Sequence, residues 1–421
     1  MLSIFKKADY QNTAWFLLEK LIQLIVGAFI VPQIFSSLGA SNMGELKYAM
    51  TIIGVFAPIF SLGLLDISIR EMIFHPKRTN AIISTSLYLQ LGSWLLVFLG
   101  FAIFLVFSVD KSQFLLYAII ALSYLTRLSN IAEYFLLATK RVKYIFIAKI
   151  LSLLIITLFQ YYGVKNQYSI IYFAEITALD FIIQGLIYFV IFKYNNSIHL
   201  KLTRFSSIIA KTLLKSSYPL IITQFLLYLY LSLDKFFLKY YMDNEAIGQF
   251  YSVKFLVITL TWNFGFAIIN ALYPAIANSY KNNRPQYVRR MSVLLKTVSV
   301  YGLLIVIFYH LFGDYILSNY FNETDSETLN ALKIFCWAPL IVFIGMIYEK
   351  HIINNNKLYK DAIRFAIGII VNIIFSILLI PKYGISGAAI SILVSHLVIN
   401  IGYIFIDKES RRQAIYLLRR Q

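Results

Sequence analysis

NTAWFLLEKLIQLIVGAFIVPQIFSSLGASNMGELKY, residues 12–48, is the stretch whose reading decides the fold. From Asn12 to Phe35 it is continuous and mostly apolar, and a helix needs about 20 such residues to cross a hydrocarbon layer. The turn-rich SSLGASN follows at 36–42, and a second apolar run begins at Gly44. Glu19 and Lys20 lie inside the first run, and no small-residue cleavage site precedes residue 35, so the run reads as a first span and not as a removable signal peptide.

Working outward, spans fall near 12–35, 44–65, 81–107, 113–138, 144–163 and 168–192, then near 216–240, 247–276, 291–317, 328–350, 361–380 and 385–406. A barrel would show short alternating segments instead of continuous runs. The reading is an all-α integral membrane protein of about twelve transmembrane helices.

Composition agrees. Of 421 residues, 59% are hydrophobic and 14% charged, an excess of apolar side chains that no soluble core absorbs. The net charge of +18 raises the question of nucleic acid, and the placement of the cations answers it. They collect in alternate connections: Lys6 and Lys7, then Arg70, Lys77 and Arg78, then Lys140, Arg141 and Lys143, then Lys193 to Lys215. The second half repeats this with Lys281 to Arg290, Lys350 to Lys360 and the closing Lys408 to Arg420. The intervening loops carry about one cation each, such as Lys47, Lys111, Lys165, Lys239 and Lys382. By the positive-inside rule both termini are cytoplasmic, and no nucleic-acid groove is implied. The single Cys336 provides neither disulfide nor metal spacing, and the five scattered histidines form no ligand set, so neither cofactor nor metal is expected.

The longest connection, 193–215, is basic and central, and divides a bundle over 1–192 from one over 216–406, with an amphipathic tail at 407–421 suited to an anionic leaflet. The halves echo each other. NTAWFLLEKLIQ and SSLGASNMGELKY lie over SSYPLIITQFLL and KYYMDNEAIGQFYS, pairing Gly44 with Gly248; FLLATKRVKY echoes INNNKLYK; and LFQYYGVKNQYSII echoes LIPKYGISGAAISI, pairing Gly163 with Gly384. Six helices per half make these parallel repeats, an arrangement that puts a substrate path between halves and moves it by rocking.

The run from Asn12 to Glu71, with W-x-x-x-E-K in span one, SLGASNMGELKY at the turn and SLGLLDISIRE closing span two, resembles bacterial polysaccharide flippases of the O-antigen (Wzx) type. DKFFLKYYMDNEAIGQFYSVK, Asp234 to Lys254, is similar to the start of that family's second half. The superfamily also holds multidrug exporters and lipid II flippases. The resemblance implies a V-shaped pair of six-helix bundles around a central cavity, a lipid-linked oligosaccharide on an undecaprenyl diphosphate carrier as substrate, and a place in the bacterial inner membrane beside the polymerase and chain-length proteins of the same pathway.

An ionisable residue deep in a span costs a few kcal/mol, so each is a functional candidate. Lys20, Arg127, Lys149 and Lys254 lie deep without equally deep acids nearby in sequence, which suggests cations awaiting an anion; a diphosphate head group would supply one. Glu19, Asp180 and Asp234 are candidates to carry a coupling ion, and Asp66 with Arg70 and Glu71 to gate the inner end of span two. Glu19, Gln23 and Gly27 share one helical face, which reads equally as an interhelical polar seam. Tyr228 and Tyr230 are candidates to stack on sugar rings, although most tyrosines belong to the interfacial belt. Two other functions compete. A drug or cation exporter calls for an acidic cavity, whereas here deep cations match the acids; a polysaccharide polymerase or ligase calls for a large outward loop, whereas the longest is the short acidic one near Glu323. No phosphate-binding G-x-x-x-x-G-K-[ST] occurs in the chain, so ATP is not the expected energy source.

Overall fold

A computed structural model describes residues 7–108, 111–194, 203–262, 284–354 and 359–403, with scattered positions between 264 and 276. The tail from 407, Lys201, Lys281 and Lys357 lie outside the described residues. Among the described residues there are helices and no strands, and nine helices are long and apolar enough to cross a membrane. Hydrocarbon offers the backbone no hydrogen-bond partner, and a helix satisfies its own amides.

The first six expected spans correspond to α1 (Lys7–Gly54), α2 (Ala57–Ser61), α3 (Leu64–Phe74), α4 (Thr79–Ser108), α5 (Lys111–Thr126), α6 (Ile131–Ala138), α7 (Val142–Lys165) and α8 (Ile170–Tyr194). α1 is two helices joined at Gly39, whose φ of 75° is the left-handed backbone that the turn SSLGASN needs. The second span runs on from that turn and breaks again at Leu62 and Gly63, both left-handed. The carbonyls freed there are taken by α4: Ser93 donates to Ile59 at 2.5 Å and Gln90 to Ser61 at 3.0 Å. Such a break is tolerated at membrane depth because a neighbouring helix satisfies it.

The later spans follow as α9 (Ser207–Tyr241), α10 (Asn244–Lys254) running into a π-turn at Phe255–Trp262, α11 (Arg284–Tyr320), α12 (Ser326–Phe335), α13 (Ala338–Asn354), and α14 (Tyr359–Leu397) running into a π-turn at Val398–Gly402. α14 is again two helices, joined at Gly384 with φ 47°. The π-turns misalign carbonyls, and side chains recover them. Tyr309 donates to Leu256 at 2.7 Å, Tyr301 to Thr261 at 3.0 Å, and the Arg364 Nε to Ile399 at 3.1 Å.

The chain divides into two compact units. The first comprises Met1–Leu38 and Ala49–Phe225, with a core of Leu64, Ile83, Phe135, Leu136, Ala148, Tyr188 and Leu213. The second comprises Gly39–Tyr48 and Leu226–Gln421 and holds a cluster of Tyr230, Leu233, Ile369 and Ile399. The division therefore falls within α9 instead of in the 193–215 connection, and a ten-residue piece of the first repeat, Gly39–Tyr48, packs as part of the second unit.

At the Gly384 joint, the Glu327 carboxylate accepts the Ile385 amide, and the Glu327 carbonyl accepts Ser386 Oγ at 3.3 Å. A Cβ at Gly384 would overlap that carboxylate, 2.9 Å from its Cδ, and would be strained at this φ. Gly384→Ala is expected to cost roughly 1–3 kcal/mol, seen as a lowered unfolding temperature in detergent, while Gly92→Ala, where a Cβ meets nothing within 4 Å, leaves it unchanged or higher.

The loop between α11 and α12 holds Glu323, whose carboxyl is pushed up to about 7 by burial, opposed by a hydrogen bond from Gln249 and assisted by the charges of Glu245 and Asp325. The folded state thus favours the protonated form. Its contribution to stability is complete below about pH 4.5 and is lost as pH rises through about 7. Glu323→Gln should match wild type in an acid melt, exceed it at pH 8 and flatten the profile between.

Candidate functional site

In the first unit three helices meet at one ammonium, and a fourth supports one of its carboxylate partners. Lys149 of α7 lies 3.1 Å from Glu133 of α6 and 3.8 Å from Glu19 of α1. Glu19 is only 1% exposed; its Oε1 accepts from Gln23 at 3.2 Å and lies 3.5 Å from Lys20, while among the described residues its buried Oε2 has no donor. Tyr188 of α8 donates to Glu133 at 3.1 Å. Glu19 and Gln23, one turn apart, do share a face, and that face meets α7. Two carboxylates and two ammoniums balance, which is how charge survives at low dielectric.

Asp180 of α8 is held differently. Its Oδ1 accepts from Ser152 Oγ at 2.6 Å and Gln184 Nε2 at 2.8 Å, and no cation among the described residues lies within ion-pair distance. Arg127 is its converse. A 3-10 turn, Arg127–Asn130, breaks the fourth span between α5 and α6 and sets the guanidinium between two rings, 4.0 Å from the Tyr124 centroid and 4.7 Å from that of Phe181. Among the described residues its buried Nε has no acceptor and no carboxylate reaches it. Stacking fixes the plane and leaves the N–H edge without an anion.

In the second unit Asp234 of α9 is 3% exposed and binds Lys254 at the end of α10. The Lys254 ammonium lies 3.1 and 3.0 Å from the two carboxylate oxygens and 3.2 Å from the Leu231 carbonyl. Three acceptors occupy its three donors.

The expectation of cations without acidic partners is corrected for Lys20, Lys149 and Lys254. Lys20 has Glu19 beside it, and helix packing brings acids from elsewhere in the sequence onto the other two. Arg127 has no such acid among the described residues. Glu133 was missed, although as an ionisable residue within the fourth span it met the criterion that selected the others. Tyr230 is buried and hydrogen-bonded to His396 at 2.9 Å, which removes it as a sugar platform; Tyr228 is 44% exposed. At the proposed inner gate Arg70 pairs with Glu71 at 3.0 Å, and the exposed Asp66 stays apart in the first turn of α3.

Residues 10–280 match the polysaccharide biosynthesis protein family. The chain belongs to that family. It is 25% identical over 216 residues to the capsular polysaccharide biosynthesis protein CapF of Staphylococcus aureus, a match that spans about half of each chain, 51% of this one and 52% of CapF. It is 26% identical over 163 residues to the uncharacterized membrane protein MJ1068 of Methanocaldococcus jannaschii, covering 38% of this chain and 32% of that one. Among solved structures, an inward-closed lipid II flippase MurJ is similar with a TM-score of 0.74 at 14% identity, covering 93% of this chain and 87% of that chain. An inward-facing multidrug resistance MATE family transporter is similar with a TM-score of 0.72 at 14% identity, covering 96% and 99%. The fold of this polysaccharide biosynthesis family member is that of the MOP-superfamily transporters.

Removing the ammonium of Lys149 would leave Glu19 and Glu133 facing each other uncompensated. Lys149→Met is expected to destabilise the first unit by about 3 kcal/mol, and adding Glu133→Gln to recover part of that loss. The double-mutant cycle, read by denaturation in detergent micelles, measures the coupling; additive single effects would show that the pair is not coupled.

Proposed function

We propose that this family member is a flippase that moves an undecaprenyl-diphosphate-linked oligosaccharide from the cytoplasmic to the outer leaflet of the bacterial inner membrane by alternating access, with both termini in the cytoplasm. The observation that carries the reading is Arg127: a guanidinium held between two aromatic rings, with a buried Nε that has no acceptor among the described residues. A planar donor edge of this kind matches the oxygens of a diphosphate in geometry and charge. Family membership and the fold shared with a lipid II flippase support the same substrate class.

The paired lysines fit a second stage. Lys149 and Lys254 are each held by a carboxylate, Glu133 and Asp234. A diphosphate carries more charge and more acceptor oxygens than a carboxylate, so it competes for the ammonium and leaves the carboxylate to take up a cation or proton. Glu19, Asp234 and Asp180 are the groups that would couple translocation to an ion gradient in this way. No bond is made or broken; the polyprenyl tail stays in lipid while the head group crosses.

Complementation of a flippase-deleted strain at matched membrane abundance tests the reading. Arg127→Ala is expected to reduce surface polysaccharide by tenfold or more, with lipid-linked units accumulating on the cytoplasmic side, and Arg127→Lys to restore part of it. Full surface polymer from Arg127→Ala would remove the guanidinium from the substrate path.

A further inference from the structure

From Leu226 onward α9 belongs to the second unit, and its side chains divide by face. Tyr230 and Leu233 are buried with Ile369 and Ile399, and Asp234 is bound to Lys254. Tyr228, Leu231 and Lys235, three and four positions apart, share a different face. Tyr228 and Leu231 are exposed there, and Lys235 is half-buried. A ring and an ammonium are thus presented on one side of the helix, about 10 Å apart along its axis.

The ammonium lacks a counter-charge of its own. Asp234 precedes Lys235 in the chain, yet both of its carboxylate oxygens face Lys254, at 3.1 and 3.0 Å. Among the described residues Lys235 makes no hydrogen bond and no ion pair. The charges that act on it are those of Lys254, Lys47 and Asp234, so three ammoniums stand against one carboxylate. An excess of positive charge within a span is costly, and an anion brought to Lys235 relieves it. Phosphate oxygens suit a lysine, whose ammonium is a compact charge with three donors.

The ring is equally unengaged. Among the described residues Tyr228 contacts no other ring and its hydroxyl makes no hydrogen bond, whereas Tyr230, two positions on, is bound to His396 and packs on Phe365. An exposed aromatic face with a hydroxyl at its edge offers apolar surface to the C–H face of a pyranose and a hydrogen bond to its rim. We infer that the Tyr228–Lys235 face of α9 is a sugar-phosphate site, in which Lys235 takes the phosphate oxygens and Tyr228 stacks on the sugar attached to them. The spacing of the two side chains is one that a diphosphate and its first sugar cover. The bound head group therefore has a fixed polarity, phosphate toward the Tyr241 end of α9 and sugar toward Leu226. This site rests on the flippase reading above and adds to it a contact with the sugar.

The experiment measures binding to the full chain in detergent of two probes, polyprenyl diphosphate and polyprenyl diphosphate carrying one N-acetylglucosamine, each relative to uncharged polyprenol. Lys235→Met is expected to weaken both probes at least fivefold, and Lys235→Arg to keep them. Tyr228→Leu is expected to weaken the sugar-bearing probe alone at least fivefold, Tyr228→Trp to keep it, and Tyr240→Leu, at another exposed tyrosine of α9, to change neither. Because Lys235 adds to an excess of like charge, Lys235→Met should also leave the unfolding temperature unchanged or higher; a lower one would mark the lysine as a structural group and overturn its role. Binding unchanged in Lys235→Met, or both probes weakened alike by Tyr228→Leu, would overturn the site while the wild-type preference for diphosphate over polyprenol keeps the flippase reading. A wild type that prefers neither probe to polyprenol would sink that reading and the site with it.

Discussion

Every polar group that this chain carries into hydrocarbon must find its partner inside the protein, and most of the structure follows from that constraint. The backbone meets it by remaining helical. Where the helix is broken, at Leu62 and Gly63 or at the two π-turns, side chains from a neighbouring helix take up the stranded carbonyls, as Ser93, Gln90, Tyr309 and Arg364 do. The ionisable side chains meet the constraint by pairing across helices. Lys149 with Glu133 and Lys254 with Asp234 are the two clearest cases, one in each unit.

Departures from full pairing then become informative. Among the described residues Arg127 keeps a donor without an acceptor and Glu19 an oxygen without a donor, both atoms buried. Asp180 accepts from a hydroxyl and an amide, with no cation among the described residues within ion-pair distance. Stability alone gives no reason to retain such groups in an apolar setting.

The helical membrane fold was legible in the sequence because hydrophobic length is a local property. Gly39 and the pairing of Gly44 with Gly248 were legible for the same reason, as a turn motif repeated in register. The ion pairs were not, since Glu133 and Lys149, or Asp234 and Lys254, are brought together by packing that no periodicity encodes. Depth in a span identified the right residue types, yet it could not tell a neutralised lysine from the one unpaired guanidinium among the four candidate cations. The assignment of Gly39–Tyr48 to the second unit was likewise invisible, being a fact of tertiary contact.

The most direct test of the account is a measurement of lipid binding by native mass spectrometry of the detergent-solubilised protein offered polyprenyl diphosphate, polyprenyl monophosphate and a lipophilic cation in competition. The account predicts preference for the diphosphate, diminished at least tenfold in Arg127→Ala and partly kept in Arg127→Lys. Preference for the lipophilic cation, or diphosphate binding indifferent to Arg127, would contradict it.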